Sequence, residues 1–78
     1  MELIENIKNI VSQALNIDAS VITNDLSIGD IPEWDSVGNL TIISALESEL
    51  NIEFPLEVLF ELTSIESIIE EIKKIKND

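Results

Sequence analysis

The chain contains no cysteine and no histidine. The first absence excludes disulfides, cysteine-built zinc sites and thiol nucleophiles. The second removes the commonest general base and the usual metal ligand. Glycine occurs only at positions 29 and 38, so no glycine-rich phosphate loop can be written. The aromatic residues are Trp34, Phe54 and Phe60 alone. Cations are nearly as scarce: Lys8, Lys73, Lys74 and Lys76 are all of them, and none occurs from Asn9 to Ile72. No apolar run approaches the roughly 20 residues that span a bilayer. No basic leader followed by an apolar stretch and a cleavage site opens the sequence. A cytoplasmic protein with no membrane insertion is the expectation.

What is present is a short acidic chain rich in Ile, Leu and Val. Its 78 residues suffice for one small domain, expected to run over 1–78. A domain of this size buries only about 60% of its unfolded surface. The 45% hydrophobic content nonetheless favours a folded core over disorder. The net charge is −12. Such a surface repels nucleic acid and anionic lipid, attracts basic protein patches, and keeps copies of itself apart, so a monomer is expected.

The apolar residues recur at helical spacing. Leu3, Ile4, Ile7, Ile10, Val11, Ala14 and Leu15 predict a first helix over Glu2 to Leu15, with Glu2 and Glu5 at the end of the dipole that favours acids. Asn16 to Asp35 is a long connection, and its Ile17, Val21, Ile22, Leu26 and Ile28 place it against the core. A second helix is expected from Ser36 to Leu50, with Leu40, Ile43, Leu46 and Leu50 as its stripe and Ile42 and Ala45 widening it. Asn51 to Pro55 is a turn, and Leu56, Leu59 and Phe60 fit one or two short helical turns. Thr63 opens the last helix, with Glu66 three residues later as in a capping box. Ile65, Ile68, Ile69, Ile72 and Ile75 form its apolar stripe, and Lys73, Lys74 and Lys76 match the negative end of its dipole. The sum is an all-α bundle of three main helices and one short helix, with a long first loop.

Catalysis is poorly provided for. Ser36 has no histidine to activate it, so a Ser-His-Asp triad is impossible. Carboxylates are plentiful, but a paired-carboxylate site also needs a cleft that so short a chain cannot build well. No Asp-x-Asp/Asn-x-Asp/Asn-Gly calcium loop exists. No catalytic residues and no metal ligands are expected. What remains is the tract Trp34-Asp35-Ser36-Val37 at the mouth of the second helix. Asp and Ser there are preferred helix caps, contributing about 1 kcal/mol. The same position exposes a hydroxyl at the positive end of the dipole, where an attached phosphate would be favoured. From the dipeptide alone, a cap and a modification site are both open readings.

From Asp35 onward the sequence resembles an acyl carrier protein. The family pattern is Asp-Ser-Leu, an apolar-periodic helix with an Ala-Leu-Glu-x-Glu run, an acidic-hydrophobic-Pro turn, a short helix, and a Thr-Ser/Thr-Val/Ile opening of the last helix. The matching pieces are Asp35-Ser36-Val37, Ala45-Leu46-Glu47-Ser48-Glu49, Glu53-Phe54-Pro55 and Thr63-Ser64-Ile65. They fall along the pattern without gaps, and the first helix and long loop agree in length and character.

The resemblance implies an acyl-carrier-like four-helix bundle. It implies that Ser36 carries 4′-phosphopantetheine, covalently added from coenzyme A by a phosphopantetheinyl transferase that uses Mg²⁺. The arm's thiol would hold an acyl or aminoacyl group as a thioester, and the chain would be a carrier, not an enzyme. Asp35 would be the acidic half of the attachment motif, capping the helix and being read by the transferase. Loading and acyl-transfer enzymes would bring basic patches to a partner face of Val37, Leu40, Thr41, Ser44, Glu47, Ser48 and Glu57. The interval between the second and short helices is a candidate shelter for an acyl chain.

The sequence departs from fatty-acid carriers along this face. They have acids just after the serine and a Met near the middle of the helix, whereas this chain has Gly38, Asn39, Thr41 and Ser44. Its acids lie lower, at Glu47, Glu49, Glu53 and Glu57, and its short helix begins with Leu56 and is apolar across Val58, Leu59 and Phe60. These departures favour a dedicated carrier of a specialised pathway over the housekeeping one. Trp34 either shapes the attachment site or meets partners, or packs the long loop against the bundle, the favoured reading because an aromatic is usually buried. Gly38 marks either a close approach of the arm or a partner, or a tolerated helix cost. A reading from another class is an acidic helical interaction module that binds a basic partner without any prosthetic group.

Overall fold

A computed structural model describes residues 2–76. The expected domain of 1–78 reaches past this range at both ends, where Met1, Asn77 and Asp78 lie outside the described residues. Helix α1 spans Glu2–Leu15, α2 spans Ser36–Leu50 and α3 spans Ile65–Lys76. A short 3₁₀ helix, Leu56–Glu61, stands between α2 and α3. The fold is the all-α bundle that the periodicity predicts. One further 3₁₀ turn, Ala19–Val21, lies in the long connection, where no helical spacing announces it.

Ile7 and Val11 of α1, Ile42 and Leu46 of α2, and Ile65, Ile68 and Ile72 of α3 meet in a fully buried core with Trp34 and Leu62. Helix α1 packs chiefly on α2. Two expectations fail here. Val21 of the long connection, expected against the core, is exposed instead, because it closes the 3₁₀ turn with no buried residue in it; the other concerns α2. Leu40 does not belong to the core stripe of α2, because it is 66% exposed. The buried positions are 38, 39, 42, 43 and 46, and the steps of three, four and seven from 39 turn Leu40 outward.

Helices α1 and α2 stop in the same way. Asn16 and Asn51 adopt the left-handed conformation, with φ of 57° and 55°. The next amide in each case reaches back five residues: Ile17 N–H to the Ser12 carbonyl and Ile52 N–H to the Glu47 carbonyl. Both isoleucines then pack against the core. This is the Schellman arrangement with asparagine in the usual glycine place.

The long connection is anchored at several points. Asp18 caps the 3₁₀ turn by accepting from the Ser20 N–H at 2.9 Å, and this contact with the amide and hydroxyl of Ser20 holds its carboxyl below the ordinary value. The Asp30 carboxylate accepts from the Ser27 N–H. Gly29, at φ 89°, donates to the Trp34 carbonyl, closing a turn that an L side chain would strain. Further along, Ser27 and Ser64 form an antiparallel bridge. Its bonds are Ile28 N–H to the Thr63 carbonyl at 2.8 Å and Ile65 N–H to the Leu26 carbonyl at 3.0 Å. The loop is thereby tied to the entrance of α3.

That entrance is capped one residue later than expected. Ser64, not Thr63, accepts from the Ser67 amide at 3.1 Å, while the Ser67 hydroxyl receives the Ser64 N–H. The box is Ser-x-x-Ser rather than Thr-x-x-Glu. The Thr63 carbonyl is committed to the bridge with Ile28, which places Thr63 outside the helix.

Candidate functional site

The site is built at the first turn of α2. Asp35 precedes the helix in an extended conformation, and its Oδ1 accepts from the Gly38 N–H at 2.8 Å. Its carbonyl takes the first helical bond, from Asn39 N–H. Asp35 therefore is the cap, and Ser36 is the first helical residue with its side chain exposed. Of the two residues the motif offers as caps, one caps and the other is left free.

Gly38 is explained by the chain itself. A Cβ there would collide with the main-chain carbonyl oxygen of Glu33 and press on Leu15 and Asp35. The loop itself makes a close approach, so the glycine is more than a tolerated cost.

Behind the turn, Trp34 is fully buried. Its indole Nε1–H donates to Asn39 Oδ1 at 2.9 Å. Trp34 packs the loop against the bundle as expected. It also ties residue 34 to the second turn of α2, which the residue types alone do not announce. The single signal was Asn39 on the inward stripe of α2, where an apolar residue is the default.

Two grooves flank α2. The first is apolar, about 380 Å³, and has Ser36 in its wall. Asn39, Leu40 and Ile43 of α2 face Leu59 and Phe60 of the short helix across it, and Ile28 and Thr63 of the bridged segments close it. It lies in the interval between α2 and the short helix, the candidate shelter for an acyl chain. Ile28 and Thr63 join it through the Ser27–Ser64 bridge, which brings together segments too distant in sequence for local spacing to announce.

The second groove runs along the outer face of α2, past Val37, Leu40, Thr41, Ser44, Ala45, Ser48 and Glu49. Val37 and Leu40 are 71% and 66% exposed, a large apolar presentation for so polar a surface. Glu47 stands apart from this face. It is half-buried, and its Oε2 accepts from the Phe54 N–H at 2.9 Å, bracing the turn after α2. Glu57 is exposed on the short helix.

The comparisons with known proteins bear on this geometry. The family described as "Phosphopantetheine attachment site" matches residues 5–72. An acyl carrier protein of Buchnera aphidicola subsp. Baizongia pistaciae is 39% identical over 70 residues, 90% of each chain. An acyl carrier protein of Thermosynechococcus vestitus is 28% identical over 69 residues, 88% of this chain and 85% of the other. The solution NMR structure of a holo acyl carrier protein from Geobacter metallireducens superposes with a TM-score of 0.85 at 27% identity, covering 99% of this chain and 88% of that one. Among the described residues no helix is long and apolar enough to cross a membrane. Acyl carrier proteins work with phosphopantetheinyl transferases and acyl-processing enzymes, and their prosthetic group is covalent 4′-phosphopantetheine, so the reading without such a group falls away. An exposed serine on a capped helix, the matched attachment domain and the shared bundle all agree that the chain belongs to the acyl carrier protein family and is a carrier, not an enzyme.

Proposed function

We propose that Ser36 is the attachment residue for 4′-phosphopantetheine and that the chain is a discrete carrier of a specialised acylation or aminoacylation pathway. The observation that carries the first part is the division of labour between neighbours: Asp35 satisfies the helix, which leaves the Ser36 hydroxyl exposed and unengaged by the cap. The residues present fit the group. A phosphate ester on Ser36 lies at the positive end of the α2 dipole, and the groove beside it is lined mainly by apolar side chains. When bound, the arm supplies a terminal thiol that holds the cargo as a thioester.

Partner enzymes dock on the outer face of α2 through Val37, Leu40, Thr41, Ser44 and Ser48, with Glu57 at its margin. Glu47 acts there through the turn it braces. The transferase reads Asp35 together with Ser36. The chain works as a monomer, kept apart by its charge. A specialised role rests on the makeup of α2, whose first turn carries no acid and whose outer groove has a single acid, Glu49, at its end among hydroxyl and aliphatic side chains. Basic patches suited to an acid-lined helix find less to pair with there.

The test has two parts. Coenzyme A and a broad-specificity transferase should add one phosphopantetheine to the protein. Acylated protein should then be a poor substrate for housekeeping ketosynthases beside their own carrier, and equal turnover would refute the specialised role.

A further inference from the structure

Asn39 is the buried one among the polar side chains of α2, at 9% exposed. It sits on the inward stripe with Ile42, Ile43 and Leu46, where a polar group is costly unless its hydrogen bonds are made. Its Oδ1 is satisfied by the Trp34 indole. An indole nitrogen only donates, so that bond settles which end of the amide is oxygen. The Nδ2 group, with two hydrogens to give, therefore points away from Trp34. The hydrogen bonds among the described residues leave Nδ2 unused, yet no buried side-chain polar atom among them lacks a partner. Nδ2 must then reach the surface, and the surface Asn39 shares is the wall of the apolar groove, one helical turn beyond Ser36.

We propose that Asn39 is a binding residue for the loaded arm: when the arm on Ser36 folds back with an apolar cargo, Nδ2–H donates to one of its carbonyl oxygens, amide or thioester. The inference rests on attachment at Ser36. Residues three apart share a helix face about 5–6 Å from each other, so Asn39 lies beside the path from Ser36 into the groove. An acyl chain gains by leaving water for Ile28, Ile43 and Leu59. The carbonyls drawn in with it lose their water partners, which costs unless a donor replaces them. Asn39 holds that donor at the mouth, aimed by Trp34, where the low dielectric strengthens it.

The experiment uses the full chain in three states: unmodified, carrying the arm, and carrying a hexanoyl arm transferred from hexanoyl-coenzyme A. Intact mass, with Ser36→Ala alongside, establishes loading. Nitrogen-15 NMR then follows the Asn39 side-chain amide, which is expected to shift and to exchange more slowly with water in a modified state. A change already present with the bare arm assigns an amide carbonyl, and one that needs the hexanoyl group assigns the thioester. Asn39→Asp keeps an acceptor for Trp34 and removes the donor. Once loaded, its thioester should be cleaved by hydroxylamine about fivefold faster, the population shift of one lost hydrogen bond. An Asn39 amide that is the same in all three states overturns the proposal, and should Asn39→Asp unfold, that wild-type signal decides alone. Absence of loading, or loading of Ser36→Ala, overturns the attachment reading, and this proposal with it.

Discussion

Gly38 lies against the main-chain carbonyl of Glu33 so closely that a Cβ on it would collide with that oxygen. The obstacle is backbone, which cannot swing aside as a side-chain tip can. Alanine is normally better than glycine inside a helix by about 1 kcal/mol. Here Gly38→Ala is expected to destabilise the protein, with an overpacking cost of about 1–3 kcal/mol exceeding the propensity gain. Urea unfolding followed by circular dichroism checks this, and a raised midpoint would contradict the packing described.

Asp35 has two roles that substitution can separate. Asp35→Ala removes the acceptor for Gly38 N–H and should cost about 1 kcal/mol of stability. Asp35→Asn is also a good cap and should stay close to the wild type in unfolding. Transferase kinetics on both variants then isolate recognition. Slow arm addition to a stable Asp35→Asn protein is the expected outcome, and an unimpaired rate would confine Asp35 to capping.

The left-handed asparagines give a paired test. An ordinary side chain pays about 1 kcal/mol or more in this conformation. Asn16→Ala and Asn51→Ala should each lower the thermal midpoint, whereas Asn16→Gly and Asn51→Gly should leave it within a small margin of the wild type. Equal losses from alanine and glycine would mean that the asparagine side chains, not the backbone conformation, stabilise the helix ends.

The helices were legible because their packing is periodic. The bounds expected for α1 and α2, Glu2–Leu15 and Ser36–Leu50, are those observed. Leu40 misleads because apolar residues at 40, 43, 46 and 50 make a plausible stripe, while the true one takes in the polar Asn39. Its polarity concealed an inward position that only the partnership with Trp34 makes tolerable. The cap of α3 slid from Thr63 to Ser64 for a reason equally remote from local pattern. The Thr63 carbonyl pairs with Ile28, thirty-five positions earlier in the chain, and no spacing rule reaches that far. The same bridge supplies Ile28 and Thr63 to the groove. At the candidate site, the Asp35 cap could be read from the sequence, whereas the close contact that demands Gly38 could not.

Acid should weaken the long loop through Asp18. The Ser20 amide, with its hydroxyl as the lesser contributor, lowers the Asp18 pKa in the folded chain. A carboxyl whose folded value lies below its unfolded one stabilises the fold above the unfolded value, and this contribution disappears as pH falls through the lowered folded value. Asp18→Ala should therefore be less stable than the wild type at neutral pH, with the difference closing below the lowered value. Unfolding midpoints at both ends of that range decide it, and a gap that persists in acid would show that the Ser20 contact does not depend on the carboxylate charge.

The central claim is that the serine exposed by its neighbour's cap receives the arm. Intact mass before and after incubation with coenzyme A, Mg²⁺ and a broad-specificity phosphopantetheinyl transferase tests it most directly, with Ser36→Ala treated in parallel. The account predicts a gain of one phosphopantetheine by the wild type and none by the folded variant. A folded wild-type protein that gains no mass, or a Ser36→Ala variant that does, would contradict it.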